Sequence, residues 1–341
     1  VMGEYASGNG QGIQFLDIVV LFFKELKRRC EAQVGQPLTR AMLGRPVHFV
    51  DDDAGRDALA QETLGRAAQE AGFTDIAFQL EPIAAALDFE QRVERETTAL
   101  VVDIGGGTSD FTVIRLNPAR SQIRDRSADI LATTGVHIGG TDFDRLLDLS
   151  TVMPLLGYRH IGTGGRPVPN SVFFDLCTWH LIHQAYTRKA MHFAKELWTD
   201  YADRTLHTRL MDALEGQHGH RMLAGVEAAK IACSVTGEDA LVDLDFLGHG
   251  PSEHLGASVT LPVMAETLQQ ALAQVVQCAQ LCVERSGLSV VDAVYLTGGS
   301  SALRPLMEAL RAAMPGARLV EGNRFGGVAA GLAVAGATQA V

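Results

Sequence analysis

The first strong pattern in the chain is an apolar run, Leu16–Phe23, that continues into the charged stretch Lys24–Arg29. It predicts a helix from about Gln14 to Gly35 that packs on a core and is far too short an apolar segment to span a bilayer. A strand at Ala41–Phe49, a helix at Arg56–Ala71, a strand at Ile76–Leu80 and a helix at Pro82–Arg92 are expected next. This αβαβα order predicts a mostly parallel sheet with crossover helices. Glu90–Thr98, charged and without apolar periodicity, reads as a crossing to a second lobe. There, Leu100–Leu116 holds two β-rich apolar runs. They are followed, after Gly225, by a helix, a strand at Ala240–Phe246, a helix at Met264–Glu284, a strand at Ala293–Leu296 and a small-residue helix at Gly326–Gly336. Between the halves, Trp179, Ile182, Tyr186, Phe193, Leu197 and Tyr201 recur at helical spacing, which favours a helix–helix core built on long helices over a docking surface. The expected division is residues 1–92 as the remnant of a first lobe and 93–320 as the second, with a mainly helical insertion at 145–222. Residues 321–341 form the helix returning to the first.

The chemistry sits in the turns. Asp103-Ile-Gly105-Gly106-Gly107-Thr108-Ser-Asp110 joins two strands through three glycines with an aspartate on each side. An ordinary hairpin turn needs one or two residues that tolerate positive φ, and further glycines weaken strand pairing, so three point to a functional turn. Consecutive amides without Cβ atoms can converge on a phosphate, Thr108 adds a hydroxyl, and the two aspartates can hold a hydrated divalent cation. No Gly-Lys-Ser/Thr follows and no GxGxxG opens a helix after a strand, so the turn is neither a P-loop nor a dinucleotide fingerprint. Further Gly-Gly turns include Gly139-Gly140, Gly298-Gly299-Ser300 and Gly326-Gly327. The second of these lies between a buried strand and an amphipathic helix, where a ribose or phosphate can sit.

In order, Glu81-Pro-Ile-Ala-Ala-Ala, Asp103 to Asp110, His137-Ile-Gly-Gly-Thr-Asp-Phe-Asp144, Glu227-Ala-Ala-Lys230-Ile-Ala-Cys-Ser234 and Leu296-Thr-Gly-Gly-Ser300 resemble the nucleotide-binding domain of the seventy-kilodalton heat-shock (DnaK-like) chaperones. The Met153–Gly157 stretch is most similar to the YegD-type branch. The resemblance implies an α/β, actin-like ATPase fold, two lobes around a nucleotide cleft, binding ATP or ADP with Mg²⁺. It implies that Glu81 and Asp103 hold the metal through water, that Gly105, Gly106, Gly107 and Thr108 line the phosphates, and that Gly139 and Gly140 reach them from the other lobe. Asp110, with Asp103 as its rival, would orient or deprotonate the attacking water. Glu227, Lys230 and Ser234, on one helix face at i, i+3 and i+7, would meet ribose and adenine, and Gly298, Gly299 and Ser300 would close that pocket. Ile231 and Ala302 stand where the family usually has arginines. An upstream phosphate loop with Asp-x-Gly-Thr and its lysine are expected outside this sequence, which therefore reads as part of a longer protein, and no peptide-binding sandwich is expected. The alternatives are a small-molecule kinase of the same superfamily and a nucleotide-responsive scaffold without turnover.

A chain of 341 residues with 47% hydrophobic and 20% charged positions can bury a large core. Its formal charge of -11 argues against nucleic acid or an anionic membrane as the main partner, leaving nucleotide and an unknown protein client. Five cysteines without dense spacing, and no signal-peptide pattern, suggest a reducing, cytoplasmic setting. Cys278/Cys282, His180/His183 and His218/His220 have metal-like spacing but read as core and loop residues.

Overall fold

The computed structural model describes residues 6–7, 12–50, 53–90, 93–120, 126–247, 254–322 and 326–338. Two short strands, β1 (Ala6–Ser7) and β2 (Gly12–Ile13), pair antiparallel ahead of α1 (Phe15–Val34). β3 (Arg40–Arg45), α2 (Ala54–Glu70), β4 (Asp75–Leu80) and α3 (Glu81–Glu90) follow, and β3 and β4 pair in parallel. Asp53 caps α2 by accepting from the Arg56 amide at 2.9 Å. β3 ends four residues earlier than its apolar pattern suggests. Pro46 has no amide to continue the ladder, and the Arg45 guanidinium takes up the Pro46 and Val47 carbonyls, each at 3.0 Å.

The main sheet is mixed. β5 (Thr97–Ile104), β6 (Ser109–Leu116) and β7 (Ile130–Val136) form an antiparallel meander, while β10 (Ala293–Thr297) and β11 (Arg318–Glu321) run parallel to β5 in the order β11-β10-β5-β6-β7. Alternation along β5 divides the core. Leu100, Val102 and Ile104 face a large cluster, and Ala99 and Val101 face a smaller one with Ile83, Ala86, Phe89 and Tyr295. Phe89 and Tyr295 stack with centroids 5.3 Å apart, a pair worth about 0.5–1.5 kcal/mol beyond its burial. This second cluster joins α3 to the sheet. α12 (Gly327–Thr338) lies across α3, with Gly331 directly on the Ala84 carbonyl, and also packs on β3.

The large cluster is covered by α4 (Gly140–Thr151), α9 (Gly219–Thr236) and α10 (Leu261–Arg285), with the hairpin β8 (Ala240–Asp243) and β9 (Gly256–Val259) beside α9. β8 stops short of Phe246 because Asp243 accepts the Asp245 amide at 2.9 Å and turns the chain. Between α4 and α9 the expected long helices are four short ones: α5 (Ser171–Cys177), α6 (Ile182–Ala185), α7 (Arg188–Glu196) and α8 (Arg204–Glu215). The interruptions coincide with residues whose side chains compete for backbone groups. The Thr178 hydroxyl donates to the Phe174 carbonyl, while Thr187 and Asp203 accept from the first turns of α7 and α8. Ile182, Leu197 and Tyr201 are buried in the large cluster's surroundings, whereas Trp179 and Phe193 from the same stripe face solvent. Among the described residues no helix is long and apolar enough to cross a membrane.

Candidate functional site

Hairpin geometry settles the first contact of the site. In the β5–β6 register Asp103 lies opposite Asp110 and Ile104 opposite Ser109, which leaves Gly105 to Thr108 as the turn, closed by the Gly105 amide on the Thr108 carbonyl at 3.0 Å. The start of α4 docks on this turn. The Gly140 amide donates to the Gly105 carbonyl at 2.9 Å, and the Thr141 amide and hydroxyl donate to the Gly106 carbonyl at 2.7 and 2.8 Å. A helix N-terminus carries unpaired donors, and here two of them bind the turn. Each planar trans peptide points its N–H opposite its C=O, so fixing the Gly105 and Gly106 carbonyls into α4 turns the Gly106 and Gly107 amides away from it. The space a Gly107 side chain would occupy is open to 4 Å. The result is a small nest of outward amides beside Thr108.

Gly139 must be glycine for this docking, since a Cβ there would lie 2.6 Å from the Gly106 carbonyl oxygen and 2.7 Å from the Gly107 nitrogen. The expectation that Gly139 and Gly140 approach from the opposite lobe is not met. They follow β7, which belongs to the same sheet as the hairpin, and the amides of Gly140 and Thr141 are spent on the turn.

The third turn closes on the other side. β10 pairs with β5 so that Thr297 lies beside Asp103, and Gly298, at φ 81°, passes so close that a Cβ would sit 2.5 Å from Asp103 Oδ1. Gly299 and Ser300 begin a short 3₁₀ turn, and the Ser300 hydroxyl donates to the Gly105 carbonyl at 3.4 Å. The three glycine turns thus meet around one hairpin.

Three carboxylates share this place. Burial and then the charge of Asp110 push the Asp103 carboxyl up to about 6. Glu81, the first residue of α3, lies over Gly44 of β3, and burial followed by the charges of Asp103 and Asp110 raises it as well. Asp110 Oδ2 accepts from the Thr108 hydroxyl at 3.0 Å. The donors are hard oxygens, and among the described residues no three His, Cys, Asp or Glu side chains converge for direct metal ligation. That set fits a small divalent cation held through its own waters.

The expected nucleoside face is only partly available. α9 packs against α4 and against the Gly299–Ala302 turn, and Glu227 and Ile231 are exposed on it. Lys230 is buried with its ammonium 2.7 Å from Asp144 Oδ1 in α4, and Ser234 is buried with its hydroxyl unbonded among the described residues. Burial raises the Asp144 carboxyl while Lys230 pulls it back. Arg304, the first residue of α11 (Arg304–Ala313), donates to the Ser234 and Val235 carbonyls at 3.3 Å each, a cation on the C-terminal end of α9. Sequence reading missed Arg304, Thr141 and the pairing of Asp144, because each acts on a partner distant in the chain. Two cavities, of about 660 and 610 Å³, lie away from the hairpin, one between α9 and β8 and the other between α2 and β4.

The remaining paired residues sit elsewhere. Cys282 is buried with its thiol against the Phe111 carbonyl, His218 packs edge-on against Phe246 and His180 against Trp179.

The family model described as Hsp70 protein matches residues 6–151. The chain is 31% identical over 141 residues to the chaperone protein DnaK of Deinococcus deserti and 32% identical over 140 residues to that of Mycoplasmopsis pulmonis, 41% of this chain in each case. The matched stretch spans about a fifth of the length of these relatives, 20% and 21%. Residues 6–151 contain Glu81, the hairpin and all of α4; α9 and the Gly298 turn lie beyond the family match.

Proposed function

We propose, from the match of residues 6–151 to the Hsp70 family model, that the chain carries an Hsp70-like nucleotide-binding segment that binds ATP or ADP with Mg²⁺ at the glycine hairpin and hydrolyses ATP. The observation that carries this reading is the convergence of the Gly105–Thr108 turn, the α4 start and the Gly298 turn on three carboxylates. The outward Gly106 and Gly107 amides and the Thr108 hydroxyl would hold the terminal phosphates. Bound magnesium supplies neutralisation of phosphate charge. Glu81 and Asp103 would hold its waters. Asp110, oriented by Thr108, would take the proton of a water attacking the γ-phosphorus in line, with ADP as the leaving group. The division into two lobes joined by α3 and α12 belongs to the same proposal, and lobe closure on nucleotide would couple the site to the remainder of a chaperone-like protein.

Binding without turnover is the second reading, favoured by one observation. Lys230 is already paired with Asp144, and the aliphatic Ile231 stands exposed beside it, so the nucleoside is gripped less than the phosphates. One experiment separates the readings: calorimetric titration of Mg-ADP and phosphate release from Mg-ATP, for the natural full-length protein and its Asp110→Asn variant. Hydrolysis in the variant is expected to fall roughly a hundredfold with ADP affinity within a few-fold. Loss of both to the same degree would remove Asp110 from the chemistry. Absence of ADP binding in the parent would overturn the proposal as a whole.

A further inference from the structure

Charge is unevenly placed along this chain. Residues 145–222 carry nine Lys and Arg against seven Asp and Glu, whereas the rest carries twenty against thirty-three. Seven of the eleven histidines are also in this stretch. One of its acids, Asp148, is fully enclosed with its carboxyl raised well above the usual range by burial and by Asp144, so it contributes little negative charge to the surface. An acidic molecule thus presents one surface with the opposite balance.

That balance is concentrated in one segment, from the turn before α6 to the 3₁₀ turn after α7, called the ridge below. Trp179, Phe193 and Trp198 are 55%, 38% and 44% exposed there, and the exposed Arg188, Lys189 and Lys195 lie between them along the chain. Glu196, the ridge's acid, is 3.3 Å from His192, and Lys195 reaches Glu215 of α8 at 3.2 Å. Arg188 and Lys189, in the first turn of α7, have no ion-pair partner among the described residues. Cations in a first helical turn oppose the helix dipole, so helix stability does not account for them. Trp198 is held by the Arg204 guanidinium 4.3 Å from its ring, which keeps an exposed aromatic in a fixed orientation. Exposed Trp and Phe, one Trp held in orientation, in the same segment as unpaired cations is a composition closer to a protein interface than to ordinary surface.

We propose that this ridge, Trp179–Trp198, is a docking surface for a short acidic polypeptide segment carrying apolar side chains. The cations attract its carboxylates and the three rings take its apolar residues. The acidic remainder of the chain disfavours an extended polyanion, which would have to run past it, and so favours a short segment over nucleic acid. This surface lies outside residues 6–151, the stretch matched by the Hsp70 family model, and does not depend on the nucleotide site.

Fluorescence anisotropy on the full chain tests it, using as probe a short fluorescein-labelled peptide of alternating Glu and Leu. Saturable binding that weakens with added salt is expected. Arg188→Glu with Lys189→Glu should weaken it at least about tenfold, and Phe193→Ala several-fold with the salt dependence retained. All three positions are exposed, and an unchanged circular dichroism spectrum confirms folding of the variants. No saturable binding, equal binding by the charge-reversed variant, or equal binding of a Lys-Leu peptide would overturn the proposal. Tighter binding of a single-stranded oligonucleotide of matched charge would likewise overturn the commitment to a protein partner.

Discussion

Asp103→Asn isolates the electrostatic strain of the carboxylate cluster. The Asp103 carboxyl rises from the ordinary 3.8 to about 6 because it is buried and faces Asp110. A folded-state pKa above the unfolded one means that the native protein binds a proton more tightly than the unfolded chain. Stability therefore falls as pH rises through the window from about 4 to 6, and the full penalty persists above it. At about 1.4 kcal/mol per unit, a rise of about two units costs roughly 3 kcal/mol near neutral pH. The amide keeps the shape beside Gly298 and removes the charge. Urea unfolding of the nucleotide-free protein should show Asp103→Asn more stable than the parent by about 2–3 kcal/mol above pH ~6, the gain vanishing near pH ~4. Relaxing the Asp103 charge also removes a cause of the raised Glu81 carboxyl, so the gain includes part of that relief. Saturating Mg-ADP should reverse the order, since the parent then has a cation to use the charge. A variant no more stable than the parent at neutral pH, or a gain of the same size near pH ~4, would refute the reasoning.

Two further outcomes follow from contacts outside the carboxylates. Arg126 is buried in a bidentate pair with Glu90 at 2.8 and 2.9 Å and also contacts Asp129, so Arg126→Met should cost about 3–5 kcal/mol in urea unfolding by stranding two buried acids; a loss under about 1 kcal/mol would show that the two acids are not stranded. Gly139→Ala drives a Cβ into the Gly106–Gly107 backbone, and should lower stability by about 1–3 kcal/mol and weaken Mg-ADP binding, measured by calorimetry; unchanged affinity would show that the α4 start does not shape the turn.

What the sequence determined by itself is local. Three glycines between two β-rich runs require a tight turn, and a hairpin's antiparallel register then brings the flanking Asp103 and Asp110 opposite each other with no help from the rest of the chain. The helix at Phe15–Val34 and the strand at Thr97–Ile104 follow in the same way from an apolar run that continues into charges and from a β-rich apolar run. The early ends of β3 and β8 were legible too, in Pro46 and Asp243, but the apolar pattern outweighed those single residues in the reading.

Tertiary structure decided the rest. Gly139 and Gly140 were visible as a turn, but which element they would touch was not, and packing put them on the hairpin of their own sheet. Gly298 meets Asp103, more than half the chain away in sequence, because β10 chose β5 as its parallel neighbour. Lys230 and Ser234 share a helical face legible from their spacing, yet α4 buried that face and gave Lys230 to Asp144. A periodic pattern says which side of an element is to be covered; the covering element is selected by the summed packing of the whole core, which no local spacing contains.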